Sequence, residues 1–179
     1  MDAAIKEKLA ASLDGFRLPR YDQLPDVGLY LEQTVQIINE YLSPLQEGDL
    51  TPSMVSNYVK KGLVENPHRK RYSREQIAYL IFITLAKNLL SLDDLHRFIG
   101  LQKRSYPARV AYDYLCEELE NMLGYVFGLK EAPAQVGVDS TEEKFMLRAT
   151  IVAISHKIYL EKCFRYLSKG EEAHIPGED

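Results

Sequence analysis

The sequence contains no tryptophan and only two cysteines. Cys116 and Cys163 lie far apart and outside any C-x-x-C spacing, which argues against a disulfide framework or a zinc ribbon. Free, buried thiols are the expectation for both. No P-loop, G-x-G-x-x-G, G-x-S-x-G or H-E-x-x-H pattern occurs. The acidic groups Glu117, Glu118, Glu120 and Glu142, Glu143 have no neighbouring His or nucleophile, so they read as a solvated helix face and a helix N-terminus. No catalytic residue and no cofactor is expected, and the chain does not read as an enzyme. No stretch reaches the roughly 18 apolar residues of a membrane span. The most apolar one, Phe145 to Leu167, is broken by Arg148, His156 and Lys157. No apolar core forms between Ile5, Leu9 and Leu13, so the opening residues are not a signal peptide and a cytoplasmic location is expected.

Alternating β-branched runs are also nearly absent, and helical periodicity takes their place. With 46% hydrophobic and 27% charged residues the composition is that of an ordinary globular protein rather than a disordered one. The pattern predicts a mostly α protein. Ile5, Leu9 and Leu13 share one face of a short first helix that Asp14 and Gly15 can end. Leu18-Pro19 and Leu24-Pro25 force an extended connector, because the residue before Pro is pushed away from the helical region. A second helix spans Leu29 to Leu42. Thr51 is a good N-cap with Pro52 at the first helical position, and Gly62 ends that third helix. Ser73 with Gln76 caps the next helix, and Ser91 with Asp94 opens another that Gly100 closes. Pro107 starts a helix to Leu123. Asp139 or Ser140 caps the last one, whose apolar residues cover much of its circumference, so that burial on more than one side is predicted.

Charge is distributed unevenly. The chain carries −4 overall, yet Lys60, Lys61, Arg69, Lys70, Arg71 and Arg74 face only Glu65 within residues 60–74, a local +5. Such asymmetry suggests that one end meets a polyanion. A helix reads the major groove with small and polar side chains while Lys, Arg and backbone amides hold the phosphates. On the helix after Thr51 the outward positions are Ser53, Ser56, Asn57 and Lys60, with Ser56 and Asn57 placed to meet base edges. Lys60, Lys61, Arg69, Lys70 and Arg71 are the phosphate candidates, with Tyr58, His68 and Tyr72 beside them. The competing reading is a solvated charged face, with Tyr58 and Tyr72 as core residues and His68 simply exposed.

Thr51, Pro52 and Ser53, then Tyr58, Gly62 and Leu63, then Pro67, Tyr72 and Ser73 resemble the winged helix-turn-helix head of the MerR regulators, and Leu92-Asp93-Asp94-Leu95 is similar to the helix that closes that head. Ser56 stands where the family has Arg, Asn57 where it has the first of two Tyr, and His68-Arg69-Lys70 where it has Gly-Tyr-Arg, so its base contacts do not carry over. The connector after Leu42 is also longer than the family's tight turn. The stretches LPRYDQLPDVGLYLEQTV, TPSMVSNYVKKGLV and KRYSREQIAYLIFI resemble a bacterial family catalogued as domain of unknown function 1836, across most of residues 17–167. That resemblance implies a helical Gram-positive cytoplasmic protein with a MerR-like head.

The expected organisation is an N-terminal helical arm and connector (1–28), a MerR-like head (29–104), a helical dimerisation or effector module (105–168) and a flexible tail (169–179). The expected activity is sequence-specific binding of double-stranded DNA by a transcriptional regulator that forms a homodimer through its C-terminal helices. The alternative is a non-enzymatic protein–protein interaction module with a basic surface and an apolar docking face. His96, His156, Cys116 and Cys163 lack the third clustered ligand a metal site needs, so no metal is expected. The tyrosines after Ser105 either line a pocket for a small-molecule effector or belong to the core.

Overall fold

A computed structural model describes residues 3–45, 49–137 and 141–172. The described residues form seven α-helices: α1 Ala3–Ala11, α2 Leu31–Leu42, α3 Pro52–Lys60, α4 Arg74–Ala86, α5 Leu92–Ser105, α6 Ala108–Val126 and α7 Glu142–Glu172, with short 3-10 turns at Tyr21–Gln23 and Ser43–Leu45. No strand occurs among them; the extended backbone contributes only two antiparallel bridges, Leu29 with Tyr72 and His68 with Arg71. The mostly α class therefore holds.

The centre of the molecule is α4. Ile77, Leu80, Ile81, Ile83 and Leu85 are all fully enclosed, and Phe82 and Thr84 are buried beside them. An apolar circumference of this kind needs neighbours on every side, and α2, α6 and α7 supply them. Each Leu or Ile fully enclosed there contributes about 1.5–3 kcal/mol. One connected set of buried side chains runs from Leu9 to Cys163, so the arm, the α2–α5 segment and the last two helices pack on one another.

Burial on every side is found on α4; for α7, where the sequence predicts burial on more than one side, in its own domain or against a second copy, the chain covers one face. Leu147, Ile151, Ile154 and Ile158 of α7 are covered, whereas Phe145, Leu160, Phe164 and Leu167 stand open to solvent. Among the described residues, one of its apolar faces is matched. Its N-cap falls on Thr141, whose Oγ1 accepts from Lys144 N at 3.3 Å; Asp139 and Ser140 lie outside the described residues, as does most of the expected tail. The helix itself continues to Glu172.

Three further boundaries move for local reasons. Leu29 is extended rather than helical because its N–H and C=O are both taken by Tyr72, at 2.8–3.0 Å, and α2 starts one residue past Tyr30, whose N–H is capped by Gln33 Oε1 at 3.0 Å. Gly100 does not close α5. The helix runs on to Ser105 because Gln102 is held on both sides, accepting from Tyr79 Oη at 2.9 Å and donating to Tyr106 O at 2.7 Å. Similarly α6 passes Leu123, and its end is wrapped by Leu129 and Lys130 N–H groups returning to Gly124 O at 2.8 and 3.0 Å.

The arm straps the molecule together. Glu120 of α6 accepts from Leu18 N and, through both oxygens, from Arg20 at 2.6 and 2.9 Å, while Asp113 accepts from Tyr21 N at 2.7 Å. The neighbouring Asp22 pairs with Arg109 of α6 and Arg74 of α4. A bidentate guanidinium–carboxylate pair fixes both distance and orientation, and Glu120 raises the pKa of Arg20 still further, so the guanidinium stays charged at any accessible pH.

Candidate nucleic-acid interface

Two elements present the sequence-predicted residues, and α2 holds both. Its body packs against α3, and its lead-in residue Leu29 pairs with Tyr72 at the return of the tip. Between α2 and α3, Asn39 Nδ2 donates to Leu50 O at 2.9 Å and its Oδ1 accepts from Leu50 N at 2.8 Å. The amide thus fixes the residue just before Thr51, which caps α3 by accepting from Met54 N.

The α3 helix buries Val55 and Tyr58 and exposes Ser53, Ser56, Asn57 and Lys60. Ser56 Oγ donates back to Pro52 O at 2.9 Å, and Ser53 Oγ shares a hydrogen bond with Thr51 Oγ1 at 3.0 Å. The Ser56 proton is engaged, and both hydroxyl oxygens keep a lone pair to accept. The helix ends at Gly62, whose φ of +75° suits a residue without Cβ; Leu63 N donates to Tyr58 O and Gly62 N to Val59 O, both at 3.0 Å, closing the last turn.

The tip is a two-residue turn. Arg71 N donates to His68 O at 2.9 Å, and both central residues, Arg69 at φ +49° and Lys70 at +63°, adopt left-handed backbone. A tight hairpin of this kind matches strand twist, yet its central positions usually go to Asn or Gly. Two cations placed there each carry strain of about 1–2 kcal/mol. The turn is braced from behind: a Cβ on Gly28 would sit 2.8 Å from Arg71 Cβ, and the Arg71 guanidinium lies over the Tyr30 ring at 5.0 Å. Tyr30, Gly28, His68, Arg69, Arg71, Ser73 and Asp26 line one open cleft. Two guanidinium groups, an imidazole and two hydroxyls suit the oxygens of a phosphate and outweigh the single Asp26 carboxylate at the rim.

Electrostatics favour an anion. Glu65, the one acid of the basic segment, is matched by Lys103 of α5 at 2.9 Å. Among the described residues, Lys60, Lys61, Arg69 and Lys70 are exposed and have no ion-pair partner. Arg74 is spent internally: Nε donates to Leu24 O at 3.0 Å and the guanidinium lies over Tyr21.

Of the predicted residues, Ser53, Ser56, Asn57, Lys60, Lys61, His68, Arg69, Lys70 and Arg71 are at the surface. Tyr58 and Tyr72 are not: they are 4% and 5% exposed, and burial raises the pKa of both hydroxyls. They support the surface from the core rather than form part of it, because the ring of each fills space under α3 or the tip. Sequence reading missed Gly28, Tyr30 and Asn39. The Gly-Leu-Tyr step before α2 was the available signal, since a glycine inside an extended segment marks a close backbone approach. His156 is exposed and Cys163 buried, and no group of three metal-ligating side chains gathers among the described residues. No helix of the described residues is long and apolar enough to cross a membrane.

A model of the family described as Domain of unknown function (DUF1836) matches residues 19–115, which span the strap, α2 to α5 and the start of α6. No curated protein and no solved structure matches the chain.

Proposed function

The chain belongs to the family described as Domain of unknown function (DUF1836), and from that premise we propose that it is a sequence-specific DNA-binding transcriptional regulator of the cytoplasm. Its residues 29–104 act as a MerR-like head in which α3 enters the major groove and the tip at His68 to Arg71 grips the backbone beside it. One observation carries this: the turn holds Arg69 and Lys70 in left-handed backbone, exposed and without ion-pair partners among the described residues, on a bridge that is tied to α2. Strain retained at a cationic tip fits a role in contacting a polyanion. The residues 105–168 serve as the dimerisation module, since Leu160, Phe164 and Leu167 recur at helical spacing on the open face of α7. Two copies joined there would present paired heads to half-sites about one helical turn apart or a multiple of it.

The test is a fluorescence titration against genomic fragments with unlabelled competitor DNA. Saturable binding that survives competitor supports the regulator; binding that competitor abolishes contradicts it. A second reading is favoured by the same face of α7, with Phe145 75% and Phe164 64% exposed: a protein–protein interaction module in which the basic surface meets an acidic protein and α7 supplies the apolar contact. It predicts no competitor-resistant DNA binding.

A further inference from the structure

A cavity opens where α4, α5 and α6 meet. It consists of two adjoining open pockets that share Phe98, Gln102, Ala111 and Leu147: an inner end of about 50 Å³ beside Ala78, Tyr79, Phe82 and Tyr112, and an outer chamber of about 230 Å³ beside Val110, Tyr114 and Lys144. Leu147 of α7 forms a shared wall. The space exists because Ala78 and Ala111 stand where α4 and α6 face each other, with side chains too small to fill the gap. A dry apolar cavity of about 150 Å³ is enough to hold benzene, so the outer chamber has room for a larger ring.

The walls define the chemistry. Phe82 and Phe98 meet edge to face at 5.4 Å and 89°, and Tyr79, Tyr106, Tyr112 and Tyr114 add aromatic surface. Such rings favour a flat aromatic partner in edge or offset contact. No group lining the inner end carries charge at neutral pH, and burial pushes the Tyr79 hydroxyl up to about 12. At the mouth Glu143 and Lys144 oppose each other in sign, so a net charge gains nothing there and would lose its hydration inside. Gln102 is the polar group common to both parts of the lining, and the buried Tyr112 hydroxyl adds a second at the inner end. Gln102 Oε1 accepts from Tyr79 Oη and its Nε2 donates to Tyr106 O, which leaves one lone pair and one N–H unused.

We propose that this cavity binds a small, uncharged, fused- or single-ring aromatic molecule whose hydrogen-bonding group pairs with the free valence of Gln102. Residues of α4, α5, α6 and α7 close around the ring, so its occupancy braces the central helix against the C-terminal pair. The site is separate from α3 and the tip, and its existence does not depend on DNA binding.

Indole is the probe, because in a chain without tryptophan its emission can be excited selectively on the red side of tyrosine absorption. Titrating the full chain into indole should give a saturable emission shift at submillimolar concentration. Ala111→Phe should weaken it by roughly tenfold or more by filling the space, with melting temperature and helical content retained. Gln102→Met, which keeps the volume roughly and removes the amide, should weaken indole severalfold more than it weakens benzene, the benzene loss reading any loosening of α5 where the same amide holds Tyr79 and Tyr106. Should Ala111→Phe not fold, Ala108→Leu at the cavity edge takes its place. Absence of saturable binding, or binding that both variants leave intact, would overturn the proposal.

Discussion

Asn39 holds Leu50 by both of its backbone polar groups, at 2.8 and 2.9 Å, and so turns a side-chain amide into a substitute for strand pairing. The same clamp recurs at the other end of the molecule, where Asn121 donates to Ala134 O at 2.8 Å and accepts from Ala134 N at 2.9 Å. Each amide anchors a loop that periodicity alone leaves undefined. The first one decides where α3 begins.

Replacing Asn39 by Ala removes both bonds and leaves two part-buried backbone groups unpaired. A loss of about 2–4 kcal/mol is expected, since each such group costs about 1–3 kcal/mol when its partner is deleted. Urea denaturation of the variant measures it. A change under about 0.5 kcal/mol would show that the clamp does not hold α3.

At the tip, Gly28→Ala should act more locally. Its Cβ meets Arg71 Cβ at 2.8 Å, so the bridge between Leu29 and Tyr72 must shift. The expected result is weaker DNA binding with far-UV circular dichroism unchanged, because no helix depends on that contact. Hydrogen exchange of the Tyr72 amide, which donates to Leu29 O at 2.8 Å, should accelerate in the variant.

Much of this architecture could be read from the chain. Thr51, Ser73 and Ser91 cap α3, α4 and α5 where their spacing predicts, each accepting from a backbone N–H three residues on. Gly62 ends α3 because only a left-handed residue closes that turn without strain. What could not be read was tertiary. Wide apolar coverage predicts many-sided burial for α7, yet it is α4 that has neighbours all around, because α2, α6 and α7 converge on it. Arg74 counts as one more cation in a basic run until Leu24 O and Asp22 are seen to hold it. Tyr58 and Tyr72 carry the same side chain as Tyr30; burial, which depends on the packing of α2, α3 and α4, separates the first two from the third.

Alkaline pH should destabilise the protein through α6. Burial raises the Cys116 thiol from about 9 to about 12 and lifts the Tyr112 hydroxyl well above its ordinary value near 10. In both cases the folded state keeps a proton that the unfolded state releases, so stability falls as pH rises past the unfolded pKa. Below about pH 9 these groups contribute no pH dependence. The buried Tyr112 hydroxyl meets no oxygen or nitrogen partner among the described residues, only the weakly bonding Cys116 thiol. Tyr112→Phe should therefore be neutral or stabilising at pH 7 and should flatten the fall above about pH 10. Thermal melts from pH 7 to 11 check this, and a variant whose stability falls as steeply as the wild type's would contradict the assignment.

The open face of α7 predicts self-association. Leu160→Glu with Phe164→Glu should convert a dimer to a monomer with unchanged melting cooperativity, because both side chains are already exposed at 54% and 64%. Sedimentation equilibrium at micromolar concentration reads the mass directly. A wild-type protein that stays monomeric would count against paired half-sites.

The central claim is that unpaired cations at the tip meet phosphates, and the salt dependence of DNA binding tests it most directly. Binding constants measured from roughly 50 to 200 mM salt give the number of phosphates neutralised from the slope of log K against log salt. The Arg69→Ala, Lys70→Ala, Arg71→Ala triple variant should bind more weakly, with a slope shallower by roughly 3. An unchanged slope in a correctly folded variant would contradict the assignment of the tip to DNA.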